Sequence, residues 1–188
     1  MAGNNIGALL IEHCSPTLAG IKVANMFSVN NKSQDETIKE LRSFERMLSV
    51  KGIRIQILGL SLGRFLVYVY REDKLAGLLS VESIQEFLRG YGYSSFKAND
   101  VLSYFDSRLG SSKCFPHEIG ILLGYPLEDV KGFIREKGQN SICSGCWKAY
   151  VDEEGARANF IRIDECRCKY KRLYEEGASI YDLTAWAV

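Results

Sequence analysis

Apolar residues recur along this chain with two different periods, and the switches between them mark out its elements. Asn5 to His13 reads as a short helix. Cys14 to Gly20 breaks that pattern, and the apolar stretch from Ile21 to Val29 suits a strand. Ser33 with Glu36 three residues on forms a capping box, and Ile38, Leu41, Phe44 and Leu48 follow at helical spacing up to Gly52. Ile53, Ile55 and Ile57 then alternate with Arg54 and Gln56. Gly59 and Gly63 bracket a turn, and Phe65, Val67 and Val69 alternate with Leu66, Tyr68 and Tyr70. Period two on both sides of a glycine turn predicts an antiparallel hairpin.

Helical stripes return at Val81, Ile84, Phe87 and Leu88, and at Val101, Leu102, Phe105 and Leu109, giving helices over 81–89 and 99–109. Pro116 and Pro126 at first helical positions, with Gly124 and Gly138 beyond the ends, predict two short helices. A strand over Trp147 to Val151 precedes a long helix that starts acidic, at Asp152, Glu153 and Glu154, and ends basic, near Arg167 to Arg172, as the macrodipole favours. The sum is an α+β fold of one domain over 1–188. A small antiparallel sheet, the hairpin at about 53–70 plus one or two further strands, packs with several helices, including a helix-turn-helix-like pair at 116–137 and the long C-terminal helix.

Composition narrows the partners. The 188 residues carry 24 Lys and Arg against 23 Asp and Glu, a net charge of +1, which offers no general attraction to nucleic acid or anionic membrane. The first residues form no basic leader, and no apolar run reaches the roughly 18 residues that span a bilayer. The expectation is a cytoplasmic protein whose six cysteines are reduced thiols, core residues or metal ligands.

Three blocks carry a resemblance. His13-Cys14-Ser15-Pro16-Thr17-Leu18-Ala19-Gly20, Phe115-Pro116-His117-Glu118-Ile119-Gly120 and the run from Leu123 to Phe133 resemble a bacterial domain-of-unknown-function family common in anaerobes, and Gly145 ahead of Trp147-Lys148 fits it too. The resemblance spans essentially the whole chain and implies no established activity, substrate or cofactor. In its pattern the positions of Cys14, Cys143 and Cys166 are usually cysteine, while Cys146 replaces a tyrosine and Cys168 is additional.

The chain's two histidines each stand beside a second reactive group, His13 with Cys14 and His117 with Glu118. Thiolate, imidazole and carboxylate ligate zinc or iron, and a Cys/His pair brought together by folding can make an activated nucleophile. Read blandly, Glu118 sits in a first helical turn and caps it, and Cys14 is a small buried hydrophobe at a helix end. Cys143 and Cys146 have zinc-knuckle spacing, but Cys166 and Cys168 lie two apart on a helix and project about 200° from each other. A discontinuous metal site would draw on Cys14, His13, His117, Cys143 or Cys166.

Glu118 to Val130 imitates a helix-turn-helix, yet its second helix opens with Glu128 and Asp129, which would set negative charge against phosphates. The Gly59 to Gly63 stretch lacks phosphate-cradling spacing. If the strands share one sheet, Lys22, Arg71 and Lys148 converge on a small anion.

These readings combine into one expectation: a pocket formed by the His13–Gly20 turn and the Phe115–Gly120 helix start, with Thr17, Lys22, Arg71 and Lys148 as further ligand contacts. It would bind a metal, an iron-containing cofactor or a small anion. In an enzymatic version Cys14 is the nucleophile or redox thiol, His117 the base and Glu118 its orienting acid. The alternative is a protein-interaction module in which the same blocks are packing signatures and Tyr91, Tyr93, Tyr125 or Trp186 are exposed anchors.

Overall fold

The computed structural model describes residues 5–30, 34–61, 64–111 and 115–185. In chain order these form α1 (Ile6–Leu18), β1 (Ala24–Asn30), α2 (Gln34–Ser49), β2 (Ile53–Ser61), β3 (Arg64–Arg71), α3 (Glu72–Leu79), α4 (Glu82–Arg89) and α5 (Ala98–Ser111). The second half adds α6 (Ile119–Leu122), α7 (Leu127–Arg135), β4 (Cys143–Ser144), β5 (Lys148–Ala149), α8 (Glu153–Glu175) and α9 (Ile180–Leu183).

The hairpin of β2 and β3 gains β1 on its other side, giving an antiparallel sheet of order β1-β3-β2 in which Val67 pairs with both Phe27 and Ile57. Phe65, Val67 and Val69 of the central strand point to one face, against Phe27, Ile53 and Ile55 and the helices α1, α2 and α9. Tyr68 and Tyr70 point to the other, against Leu58 and the helices α3 to α7. Both faces are therefore covered, which is why the residues between the obvious hydrophobes of β3 are apolar as well. Tyr68 is fully buried, and its hydroxyl donates to the Leu122 carbonyl at 2.6 Å, tying the sheet to α6.

Several expectations need correction. The first helix does not stop at His13 but runs to Leu18 with Pro16 inside it. Proline this close to a helix end forfeits one backbone bond without breaking a long ladder. The Ser15 hydroxyl donates to the Ile11 carbonyl, and the Pro16 carbonyl accepts from the amides of Ile21 and Lys22 at 2.8 and 3.0 Å. The following strand accordingly begins at Ala24, not Ile21. Pro116 lies ahead of a turn, so that α6 starts only at Ile119. The 147–151 strand shrinks to Lys148–Ala149, paired with an unexpected β4, because the Tyr150 amide is taken by the Asp129 carboxylate at 2.7 Å. Helix α3, directly continuous with β3, was not foreseen. Ser33 and Gly63 lie outside the described residues.

Asp152 caps α8 by accepting from the Gly155 amide at 2.9 Å, and that helix carries Cys166 buried and Cys168 exposed. Phe160 of α8, Cys143 and Ala149 form a small separate core under the β4–β5 hairpin. Among the described residues no helix is long and apolar enough to cross a membrane.

Candidate functional site

The cavity beside the second block has no residue of the His13–Gly20 segment in its lining. Around the first block, Cys14 is fully buried in the α1 side of the core, and burial pushes its thiol well above the ordinary range, so it is an inert thiol here. His13 stacks on Phe27 with ring centroids 5.2 Å apart. The Thr17 hydroxyl donates to Asn25 Oδ1 at 2.7 Å.

Arg71, 1% exposed, closes this region. It donates to the carbonyls of Thr17, Leu18 and Ala185 at 2.7 to 2.8 Å, joining the end of α1 to the C-terminal segment. Its Nε and Nη2 are thus taken up by backbone carbonyls. The three cations also do not share a sheet. Arg71 ends β3 and Lys22 precedes β1, whereas Lys148 belongs to the separate β4–β5 pair and donates to the Gly138 carbonyl at 2.6 Å. The shared sheet on which their convergence was to rest is absent, since the strand carrying Lys148 pairs with β4 and not with the main sheet.

The second block does line a cavity. A space of about 370 Å³ is walled by Phe115, His117, Tyr125, Phe133 and Trp147, with Lys148 at its polar side. Gly120 and Gly145 also line it, and each permits a close approach: a Cβ at Gly120 would lie 2.8 Å from Val130 Cγ2 and one at Gly145 would collide with the Phe160 ring. His117 is exposed and meets Phe133 edge to face at 5.3 Å. Tyr125 and Trp147 stack at 5.3 Å. Asp129 fixes the Trp147 wall, since its carboxylate accepts from the indole Nε1 at 2.8 Å as well as from the Tyr150 amide.

Glu118, adjacent in sequence to His117, goes the other way. It is fully buried, accepts from Arg108 Nε at 2.5 Å and from the Tyr93 hydroxyl at 3.4 Å, and leaves Oε2 without a partner. It neither caps α6 nor orients His117. Neighbouring positions at a helix start project in different directions, and here one serves the cavity and the other the core.

A family model described as protein of unknown function (DUF3793) matches residues 10–184. The chain belongs to the DUF3793 family. Every candidate residue from His13 to Cys166 falls within the DUF3793 match. No curated protein and no solved structure matches the chain.

The described thiols of this DUF3793 chain differ in burial and in the element that carries them. Cys143 is buried beneath the hairpin, Cys166 is buried on α8 with burial raising its thiol, and Cys168 faces solvent. Among the described residues no group of three or more His, Cys, Asp or Glu is placed to hold a metal ion. The helix-turn-helix imitation also resolves. Val130 packs inward toward Gly120, but the Asp129 face of α7, which a DNA reader would present, is covered by the β4–β5 hairpin. Of the aromatic anchors expected of an interaction module, Tyr93 is buried, Tyr91 and Tyr125 are half-buried, and Trp186 lies outside the described residues. Sequence reasoning missed Phe133 and Trp147 as cavity walls. The glycines at 120 and 145 were the available signal, because they mark close approaches of the backbone to Val130 and to Phe160 beside the cavity.

Proposed function

We infer that this protein is a cytoplasmic binder of a small, flat organic anion, held in the cavity between the 115–125 segment, α7 and the β4–β5 hairpin. The carrying observation is the lining itself: aromatic carbon on most sides, with the His117 imidazole and the Lys148 ammonium as groups able to donate to a ligand. Lys148 spends one proton on Gly138, which leaves two for an acceptor. A pocket of a few hundred cubic ångströms with few convergent polar groups is the usual form of a small-molecule site. Asp129, the acidic group of the lining, is engaged by Trp147 and Tyr150. A metal reading lacks a donor set among the described residues. The five described cysteines are all free thiols, which suits a reducing compartment.

Titration of benzoate against neutral benzyl alcohol tests this reading, with Trp147 emission as the readout in a Trp186→Phe background. Benzoate is expected to bind with a dissociation constant on the order of 0.1–1 mM, given what so few atoms can contribute. The alcohol should bind several-fold more weakly, and Lys148→Met should erase that preference. Equal affinity for the two probes, or no binding of either, would rule out the anion pocket.

A further inference from the structure

A second polar cluster lies outside that cavity, whose lining includes none of its three members. Lys22, in the loop between α1 and β1, is only 8% exposed. Its ammonium lies 4.8 Å from the centroid of the Tyr125 ring and, among the described residues, has no hydrogen-bond acceptor or carboxylate. Burial lowers it from 10.5 to about 8, with Cys146 opposing that fall and Arg167 adding to it. Arg167 reaches in from α8. Its Nη1 is 3.4 Å from Asp164, a mostly exposed carboxylate, and 3.8 Å from the Cys146 sulfur, while its Nε is buried without an acceptor.

A buried cation without a counter-charge is unfavourable, and an orphaned guanidinium nitrogen beside it compounds the cost. Arg167 meets the sulfur of Cys146 at 3.8 Å, and Lys22 interacts electrostatically with that sulfur as well as with the fully buried Cys14. Cys146 sits in the turn between β4 and β5, half-buried and packed against the small core beneath the hairpin, with its carbonyl accepting from the Tyr125 hydroxyl at 3.0 Å. Reactive cysteines occupy this kind of setting, partly exposed and flanked by Lys or Arg, whereas buried thiols such as Cys14 do not react.

We propose that Cys146 is a nucleophilic thiol, set between Lys22 and Arg167, that takes small anionic electrophiles. Asp164 offsets part of the Arg167 charge from the exposed side, so the positive potential that draws a carboxylate-bearing reagent comes chiefly from the buried Lys22. With a haloacetate the sulfur electron pair forms the new S–C bond. The carbon–halogen bond breaks, halide leaves with its electron pair, and the thiol proton passes to solvent. No oxidant or reductant is required.

The test is alkylation of the folded protein at pH 7 with iodoacetamide and with iodoacetate, followed residue by residue by mass spectrometry. Cys168, exposed on α8, and free 2-mercaptoethanol serve as references. Cys146 is expected to react about tenfold faster than Cys168 despite its lower exposure. Its ratio of iodoacetate to iodoacetamide rates should exceed that of 2-mercaptoethanol by several-fold. Lys22→Met and Arg167→Met should each lower both quantities, and Lys22→Arg should restore the ratio. Reaction at or below the Cys168 rate overturns the proposal. So does a ratio unmoved by both substitutions in variants with unchanged circular dichroism. Should a variant not fold, the wild-type comparison with the two references decides alone.

Discussion

Lys22 makes stability depend on pH in a direction that can be worked out. Its folded value of about 8 lies below the ordinary 10.5. Below pH 8 both states hold the proton, and the cost of burying the charge is present in full. Between about 8 and 10.5 the unfolded chain holds more of that proton, so stability rises with pH through this window. Cys14 acts in the opposite sense. Its buried thiol keeps a proton that the unfolded chain loses above 9.0, and stability falls there. Urea unfolding of the wild type and Lys22→Met at pH 7, 8, 9 and 10 isolates the first effect, because Cys14 is common to both. The free energy of the variant minus that of the wild type should decrease steadily from pH 8 upward, and a flat difference would show that Lys22 is not desolvated. The sequence disclosed that Lys22, Arg71 and Lys148 are cations at strand margins. It could not disclose that Arg71 is consumed by three carbonyls, because backbone acceptors leave no mark in side-chain identity.

At the scale of elements, glycines separate packing from permissiveness. Gly132 on α7 has no room: a Cβ there would lie 2.6 Å from Cγ of Tyr150, so the helix and the hairpin approach each other through its missing side chain. Gly77 in α3 meets nothing within 4 Å. Ala at 77 should therefore stabilise by about 0.5–1 kcal/mol through helix propensity alone. Ala at 132 should destabilise by about 1–3 kcal/mol through overpacking, and should weaken benzoate binding by displacing the hairpin that carries Trp147 and Lys148. Thermal unfolding of the pair reads both signs, and equal shifts would deny the close approach. The same contrast explains what was legible. The β2–β3 hairpin carries a clean alternation, and the helix α8 an acidic, capped start and a basic end. Helix α3 grows out of β3 with no break in the sequence, and β4 is two residues long, too short to show a period. The cavity half built from 115–120 was visible as a motif. Its other half comes from β4 and β5, the elements whose pairing the pattern did not reveal.

For the molecule as a whole, the C-terminal segment is fastened by cations from two distant places. Lys51, after α2, donates to the carbonyls of Tyr181 and Thr184 at 2.6 and 2.7 Å, and Arg71, at the end of β3, donates to that of Ala185. Ile180 is buried on the α1 face of the sheet, and the Ala185 amide returns a bond to the Leu18 carbonyl at 3.0 Å. Residues far apart in sequence thus meet at one end of α1: the helix terminus, the loop after α2, the last residue of the central strand and the segment beyond α9. Ending the chain at Ala178 removes the apolar burial of Ile180, about 1.5–3 kcal/mol, and withdraws acceptors from two buried charged groups, each such bond contributing about 1.5–3 kcal/mol. These contributions share one site and do not add fully, so a loss of at least about 3 kcal/mol is expected, a large part of what a domain of this size has. Urea denaturation of the truncated chain measures it. A loss below about 1 kcal/mol would mean that the segment rests on the surface and that Lys51 and Arg71 find other acceptors without cost. The larger loss would instead make this junction the point at which the α1 layer, the sheet and the C-terminal helices unfold together.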